Sequence, residues 1–165
     1  MGDSGDHKCA YQSKKILHVL KEEKMLKDKL EEIKGRGETV ETVSGACRFC
    51  GQITTLEAPE SWSGEELDEL ATELCKCEDA ASYIKMKKRK ENAIKAVYEQ
   101  YGEKGENCRW EILKLLEDVV NEVAEMMVES VTVGIAGNLK AKISMNSKGN
   151  IKVEKTKTRK ETREV

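Results

Sequence analysis

The order of apolar and polar residues predicts a long amphipathic helix over residues 12–34. Its apolar side chains recur at the spacing of a heptad seam, with Glu23 at one core position. The segment Gly35-Arg36-Gly37 ends this helix, because glycine adopts backbone angles that do not continue an α-helix. The apolar stripe consists of Ile16, Val19, Leu20, Leu26, Leu30 and Ile33.

This apolar stripe needs a partner surface, because an isolated helix is marginally stable in water. One interpretation is internal packing against a later helix of the same chain, for which residues 107–127 offer the broadest apolar face. The other is docking onto another protein or a second copy of the chain. In that case the partner-binding residues are Ile16, Val19, Leu26, Leu30 and Ile33.

Three further helices are predicted from capping signals and periodicity. Ser63 and Glu66 fit a capping box at the start of one helix. A second begins after Cys77, where acidic residues suit the helix dipole, and runs to about Tyr101. Asn107 is the predicted N-cap of the third. The apolar face of that third helix comprises Ile112, Leu115, Leu116, Val119, Val123, Met126 and Met127.

Strand-like alternation is predicted in two places. Residues 40–50 and 52–56 are β-prone, and Pro59 ends the second stretch. Near the C-terminus, residues 139–145 and 151–154 alternate around a turn and predict a β-hairpin with one basic face. Residues 155–165 predict a disordered tail.

The predicted fold class is therefore mainly α (α+β, helix-dominated), with a small four-cysteine zinc-knuckle module and a C-terminal β-hairpin. Its segments are an N-terminal coiled-coil-like helix at 1–37, the zinc module at 40–80, a helical core at 81–137 and the hairpin with its basic tail at 138–165. A charged fraction of 36%, an aromatic fraction of 4% and a single proline agree with a helix-dominated chain.

Charge is unevenly distributed along the chain. The net charge is −2, but residues 138–165 carry +6, so the remainder carries −8. No apolar run approaches the roughly 20 residues that span a bilayer, and the charged N-terminus does not resemble a signal peptide. We therefore expect a cytoplasmic protein with no membrane partner.

The strongest chemical signal is a pair of cysteine motifs. A C-x2-C pair and a C-x-C pair are separated by 24 residues, which is a spacing that can bring four thiolates to one tetrahedral zinc. A reducing cytoplasm favours metal binding over disulfides. Redox chemistry and iron–sulfur ligation are the competing interpretations, whereas Cys9 and Cys108 have no partner at ligand spacing. The predicted ligands of a structural Zn²⁺ are Cys47, Cys50, Cys75 and Cys77.

Catalytic motifs are missing from the sequence. His7 and His18 are far in sequence from every candidate nucleophile, and no P-loop, dinucleotide fingerprint or H-E-x-x-H helix occurs. A metal held by four cysteines also has no open position for water or substrate. We predict that the protein is not an enzyme and has no small-molecule substrate.

Clustered basic residues support an alternative function in nucleic-acid binding. The cations within residues 85–90 form either a solvated surface or a phosphate-binding patch, and the basic hairpin adds more. Aromatic residues that would stack on bases are isolated, so contact with the phosphate backbone is expected rather than sequence-specific recognition. The residues of this alternative are Lys85, Lys87, Lys88, Arg89, Lys90, Lys140, Lys142 and Lys152.

The strings CRFCGQ (residues 47–52) and ATELCKC (residues 71–77) resemble small zinc-binding proteins of unassigned function encoded by prophages and mobile elements of Gram-positive, clostridia-like bacteria. The resemblance covers about a quarter of the chain. It implies the four cysteine ligands and a phage-like origin, and it brings no catalytic residue. Small phage proteins often bind and inhibit host machines, including immune complexes, so the leading prediction is a zinc-stapled helical protein that docks onto a host macromolecule.

Overall fold

The computed structural model describes residues 24–103 and 105–158, which form two units. The first, here called the cysteine unit, is Glu23–Lys88, and the C-terminal unit contains Arg89–Val165. The described residues contain four helices and two antiparallel sheets. The predicted combination of helices with a four-cysteine cluster is confirmed in outline, but there is more strand than the sequence indicated.

The cysteine unit places a two-stranded sheet between helices along the chain. It contains α1 (Leu26–Gly35), β1 (Glu41–Ala46), β2 (Ile53–Ala58), α2 (Gly64–Leu74) and the first part of α3 (Glu78–Tyr101). Strands β1 and β2 pair antiparallel from Glu41 opposite Ala58 to Ala46 opposite Ile53. The turn that joins them therefore carries the first cysteine pair.

Helix α1 corrects the prediction of one helix over residues 12–34. Lys24 and Met25 are not helical, so the described helix begins only at Leu26. Ile16, Val19 and Leu20 lie outside the described residues. Leu26 and Leu30 are buried with Leu56, Leu70 and Ala71 of the same unit. The internal-packing interpretation is thus confirmed for these two residues, but the predicted acceptor, the helix over 107–127, is wrong for them.

The predicted capping box at the start of α2 is confirmed. The Ser63 hydroxyl accepts the backbone N–H of Glu66, and the Glu66 carboxylate accepts the N–H of Ser63 at 2.8 Å. Strand β1 then packs directly on this helix: a Cβ added at Gly45 would lie 2.3 Å from the carbonyl oxygen of Leu67. Only glycine permits so close an approach.

The C-terminal unit is a three-stranded antiparallel sheet with two helical segments on its apolar face. It contains the remainder of α3, α4 (Trp110–Ala124), β3 (Ser130–Ile135), β4 (Leu139–Met145) and β5 (Ile151–Lys157), with strand order β3-β4-β5. The buried core comprises Ala93, Ile94, Val97, Tyr98, Tyr101, Cys108, Leu113, Leu116, Val120, Val123, Leu139, Ala141 and Ile143.

Strand β3 corrects the prediction of a two-stranded hairpin. The sequence predicts that residues 130–135 belong to the helical segment 81–137, yet they pair with β4 from Ser130 opposite Ser144 to Ile135 opposite Leu139. Strand β5 also runs on to Lys157, so the tail predicted from residue 155 begins too early. Pairing with β4 orders these polar ends because it satisfies their backbone hydrogen bonds.

Helix α4 starts later and ends earlier than predicted. Asn107 has a φ of 48°, which is left-handed, and the N-cap is Arg109. The helix ends at Ala124, which leaves Met126 and Met127 exposed instead of buried. Leu115 is also largely exposed, since the helix buries the face that carries Leu113, Leu116, Val120 and Val123.

Among the described residues, none of the helices combines the length and the apolar character that crossing a membrane requires.

Candidate metal centre

Four cysteine side chains that are distant in sequence converge at one point of the cysteine unit. The sulfur atoms of Cys47, Cys50, Cys75 and Cys77 all lie within 4.8 Å of one another. The Cys47 and Cys77 sulfurs are 3.9 Å apart, and those of Cys50 and Cys75 are 3.5 Å apart. Each cysteine of the first motif thus lies next to one cysteine of the second motif, so the two motifs are in direct contact.

These distances fit a tetrahedral metal and do not fit disulfides. With Zn–S bonds of about 2.3 Å, the sulfurs of a tetrahedral site lie about 3.8 Å apart. A disulfide needs about 2.0 Å between its sulfurs, and all four cysteines are free thiols. The donor set is also chemically suited, because thiolate sulfur is a soft ligand that favours zinc or iron over magnesium or calcium. The four predicted ligands can therefore bind one metal ion.

The first cysteine pair lies on a tight turn between β1 and β2. The N–H of Cys47 donates to the carbonyl of Gln52 at 3.0 Å, and the N–H of Gly51 donates to the carbonyl of Cys47 at 2.9 Å. Gly51 has a φ of 70°, which glycine adopts without strain. The turn directs the backbone amides of Phe49 and Cys50 at the Cys47 sulfur.

The second cysteine pair lies at the junction of two helices, as predicted. Cys75 is the C-cap of α2. The carbonyl of Cys77 accepts the N–H of Ala81 at 3.0 Å, so Cys77 precedes the first turn of α3. The amide of Cys77 in turn donates to the Cys75 sulfur at 3.5 Å. Both sulfurs are thus placed by helix ends, where backbone geometry is well defined.

The clustered thiols compete for their protons. Hydrogen bonds from the amides of Cys50 and Phe49 outweigh burial and lower the pKa of Cys47 to about 6. The Ala80 amide lowers the pKa of Cys77, but burial and the other three sulfurs outweigh it and raise that pKa to about 12. One thiol therefore ionises readily, whereas the last ionises only when a cation balances the accumulated negative charge.

Side chains of α2 hold the first cysteine turn in place. The Asp68 carboxylate accepts the N–H of Ala46 at 2.8 Å. The buried Thr72 hydroxyl accepts the N–H of Arg48 at 3.0 Å and donates to the Asp68 carbonyl at 2.7 Å. These bonds satisfy the backbone on both sides of Cys47, so α2 helps to orient the turn that carries the first cysteine pair.

A buried ionic network lies beside the cysteines. Arg48 Nη1 is 2.9 Å from Glu69 Oε2, and Lys87 Nζ lies 2.6 Å from Glu69 and 2.7 Å from Glu73. The Tyr83 hydroxyl donates to Glu69 at 2.8 Å. Burial raises the pKa of Glu69, but the hydrogen bonds from Lys87 and Tyr83 outweigh it and hold that pKa below its ordinary value. Two cations thus balance two carboxylates.

Glu73 extends this network to the start of α1. Its two carboxylate oxygens accept the N–H groups of Leu26 at 3.0 Å and Lys27 at 2.9 Å. Met25, the N-cap of α1, offers no side-chain cap, so Glu73 satisfies the helix amides in its place. A helix start, two further helices and the cysteine turn are therefore joined by one set of polar contacts.

Sequence reasoning missed this ionic network. Glu69 and Glu73 are four residues apart on either side of the apolar Leu70, which is a signal that both could face inward. Their cationic partners lie on other elements, and no local pattern specifies such pairs.

Phe49 is 47% exposed and contacts the Tyr83 ring at a centroid distance of 5.6 Å.

The predicted partner-binding residues that the structure describes do not form an open surface. Leu26 and Leu30 are buried within the cysteine unit, and Ile33 is half-buried. Ile16 and Val19 lie outside the described residues. The prediction that Leu26 and Leu30 contact a partner is therefore wrong for the conformation seen here, because helix packing inside the unit already covers them.

The predicted basic patch at residues 85–90 is divided by the fold. Lys87 turns inward to Glu69 and Glu73, so its assignment to a nucleic-acid surface is wrong. Arg89 is half-buried, with Nη2 3.5 Å from the carbonyl of Lys148. Lys90 is half-buried, while the side chains that remain exposed are Lys85, Lys88, Lys140, Lys142 and Lys152.

Of the two remaining cysteines, Cys108 is buried in the core of the C-terminal unit, and burial raises the pKa of its thiol. Cys9 lies outside the described residues.

No protein family matches the chain, and no curated protein and no solved structure matches it. The resemblance to prophage zinc-binding proteins therefore stays a prediction.

Proposed function

We propose that the protein is a non-enzymatic binding protein whose cysteine unit is stapled by one structural Zn²⁺. The observation that carries this proposal is the convergence of four cysteine sulfurs within 4.8 Å, two from a β-turn and two from a helix junction. The ion bound there would tie β1, β2, α2 and α3 together. Its contribution would be charge neutralisation and cross-linking of segments that bury little apolar surface.

A structural role suits this centre better than a catalytic one. Four thiolates fill a tetrahedral zinc and leave no position for water or substrate. The neighbouring ionisable groups are also committed: Glu69 and Glu73 are paired with Lys87, and Glu69 with Arg48. These two buried carboxylates are thus paired with cations and are poorly placed to transfer a proton to a bound molecule.

Metal analysis and cobalt substitution test the metal assignment. We expect one zinc per chain in protein purified without chelators, and a cobalt-substituted sample with the absorption spectrum of four-thiolate coordination. Cys50→Ser and Cys75→Ser should each abolish stoichiometric binding, because a hydroxyl is a poor zinc ligand. The matched control is Cys108→Ala, which should keep one metal per chain since Cys108 lies outside the centre.

Two results would reject the zinc assignment. The first is protein that is folded, metal-free and fully reactive at all four thiols. The second is an iron–sulfur chromophore in anaerobically purified protein, which would keep the ligands and replace the metal.

We further propose that the protein acts by docking onto a host macromolecule, and that it derives from a prophage or mobile element. Exposed apolar side chains at the end of α4 support docking onto a protein: Met126 is 81% exposed and Met127 is 70% exposed. Methionine is common at adaptable binding surfaces because its side chain is flexible and polarisable. Affinity capture from a clostridial lysate, with and without nuclease, would identify the class of partner. Loss of the captured proteins after nuclease treatment would contradict direct docking onto a protein.

The second candidate is a nucleic-acid-binding protein, favoured by the polar face of the three-stranded sheet. Lys140, Lys142 and Lys152 are exposed there, although Lys152 is also 2.7 Å from Glu154. Binding to duplex DNA should weaken steeply with salt. The logarithm of the association constant should fall with the logarithm of the salt concentration, with a slope of about −1 for each phosphate contacted.

Neutralisation of these lysines tests this candidate. Replacement of Lys140, Lys142 and Lys152 by glutamine should reduce both the affinity and the salt slope, whereas glutamine at the exposed Lys85 and Lys88 is the matched comparison for the other basic region. The absence of binding at low salt would end the nucleic-acid interpretation.

A further inference from the structure

The two edges of the three-stranded sheet differ in charge. Within the part of the chain that the structure describes, β3 and β5 are the outer strands. Strand β5 carries Lys152, Lys155 and Lys157, whereas Ser130–Ile135 contains no charged residue and no proline. Charged side chains normally protect an edge strand from pairing with another chain. Strand β5 has this protection and β3 does not.

Next to β3, the apolar layer of the sheet is incompletely covered. Val133 and Ile135 are only half-buried against the core, as are Ile112 and Val119 of α4. Leu115, on the same helix, is 45% exposed. Incompletely covered apolar side chains therefore lie on β3 itself and on α4, and Ile112 lines the same groove as Ile135.

The two ends of β3 carry different surface features. Just before the strand, Met126, Met127 and Val128 form an exposed apolar protrusion. Just after it lies a groove of about 590 Å³, whose lining includes the apolar Ile112, Ile135 and Ala136 and, at its charged positions, Glu106, Arg109 and Lys157. A two-fold axis across β3 would bring the protrusion of one copy toward the groove of the other, twice per pair, as an isologous interface requires.

We propose that two copies of the chain associate by antiparallel pairing of β3 with β3, which creates one continuous six-stranded sheet. Centring the two-fold axis on Val133 places Val131 opposite the second copy's Ile135 and Thr132 opposite its Gly134. This register keeps all three aliphatic residues of the strand on the apolar side. Centring the axis on Thr132 would instead place Ile135 opposite Glu129, so the Val133 register is preferred.

Charge does not oppose this pairing across the sheet. Lys140 and Lys142 lie on β4, opposite Gly134 and Thr132 of β3. In the paired sheet they would be three strand spacings, or about 14 Å, from the same lysines of the second copy. That separation exceeds the Debye length of about 8 Å at physiological ionic strength, so their repulsion is largely screened.

A second copy fits this edge better than an unrelated extended peptide. The strand is complementary to itself in the Val133 register, and the protrusion and the groove are contributed by the same chain. The proposal does not depend on the metal centre, since every residue invoked belongs to the C-terminal unit. Failure of the zinc assignment would leave it unchanged, whereas a host protein bound at Met126 and Met127 would compete with the second copy.

Sedimentation velocity and light scattering over a concentration series test the proposal. The full chain should shift from a mass of 18.6 kDa toward twice that value as concentration rises. Thr132→Lys with Gly134→Lys should raise the dissociation constant at least about tenfold, since it places like charges directly opposite each other. The new side chains have room, because Thr132 is exposed and a Cβ at Gly134 meets nothing within 4 Å. They would also lie opposite Lys142 and Lys140 of β4, so circular dichroism must first show that the variant chain is folded.

The matched control adds two lysines at the other edge, Thr156→Lys with Thr158→Lys, and should leave the dissociation constant unchanged. Hydrogen exchange on the unmodified protein provides a readout that needs no variant. Protection of residues 130–135 should increase with concentration, and protection of residues 151–157 should not. A strictly monomeric protein, or a dimer that forms equally well with the two β3 lysines in a folded chain, would overturn the proposal.

Discussion

The two units of the protein reach their folds by different means. Among the described residues, the C-terminal unit has a core of thirteen buried apolar residues, including Tyr101, Leu113 and Ile143, whereas the main apolar cluster of the cysteine unit has five. The cysteine unit instead buries Glu69, Glu73 and Thr72. Where apolar burial is small, a domain needs another source of stability, such as a metal ion.

Burial of polar groups favours one arrangement of the cysteine unit. That arrangement is stable only when every buried polar group has its partner. Charged groups removed from water are tolerated only when each has its partner. Four thiols held together impose a similar condition, because their negative charge needs a cation. Among the described residues, the C-terminal unit buries one such carboxylate, Glu117, which accepts the Tyr98 hydroxyl at 2.8 Å and pairs with Lys114 at 2.7 Å, and the close packing of its larger apolar core supplies most of its stability. Five experiments can break or sharpen this contrast.

Removal of the metal should have the largest effect. A strong chelator should unfold the cysteine unit and spare the C-terminal unit, because zinc binding by four thiolates contributes on the order of 10 kcal/mol to folding. Hydrogen exchange with mass spectrometry should show lost protection over residues 41–74 and retained protection over residues 110–145. Equal loss in both units would contradict the contrast.

A cavity in the C-terminal core should produce the reverse pattern. Leu116→Ala removes a fully buried side chain and should lower the free energy of unfolding by about 2–5 kcal/mol. The metal content should remain unchanged. Its control is the neighbouring Leu115→Ala, which should cost much less because Leu115 is 45% exposed. Thermal denaturation followed by circular dichroism measures both.

Breaking the ionic network should destabilise the cysteine unit to a smaller extent. Lys87→Met leaves Glu69 and Glu73 without their shared cation, and we expect a loss of about 2–3 kcal/mol, reduced because the Lys87 side chain is 20% exposed. The control is the exposed neighbour, Lys88→Met, which should change stability by less than about 0.5 kcal/mol. Equal effects of the two variants in denaturant unfolding would argue against the network.

The difference in stability between the wild type and Lys87→Met should change with pH in a defined direction. The folded-state pKa of Glu69 is lowered, chiefly because the Lys87 and Tyr83 hydrogen bonds outweigh burial. Its stabilising contribution is therefore present above the ordinary carboxyl pKa and is lost as pH falls through the lowered folded value. The stability gap between the wild type and Lys87→Met should shrink on acidification. A gap that widens toward low pH would contradict this assignment.

The smallest expected effect is at the start of α2. Ser63→Ala removes one half of the capping box and should cost about 1 kcal/mol. Ser82→Ala, at an exposed position inside α3, is the matched control and should be neutral or slightly stabilising because alanine is a better helix former. A cost at Ser63 no larger than at Ser82 would show that the cap is energetically unimportant.

The sequence alone determined the features that depend on neighbouring residues. The Ser63 capping box, the extent of α3 and the two close cysteine pairs were all predicted, because each involves residues a few positions apart. The convergence of the two cysteine pairs was also predictable, since few other arrangements satisfy four thiolates in a reducing compartment. The alternation of apolar and polar residues along β4 and β5 likewise indicated strands.

Tertiary structure decided what depends on distant partners. Strand β3 was missed although Val131, Thr132, Val133 and Ile135 are β-branched, because a short run shortly after a helix is ambiguous until a partner strand such as β4 supplies the hydrogen bonds. Helix α1 begins at Leu26 because Glu73, 47 residues later, caps its amides. Lys87 faces inward because it forms ion pairs with Glu69 and Glu73 of another helix. Local patterns report propensity, whereas pairing across the fold decides which propensities are realised.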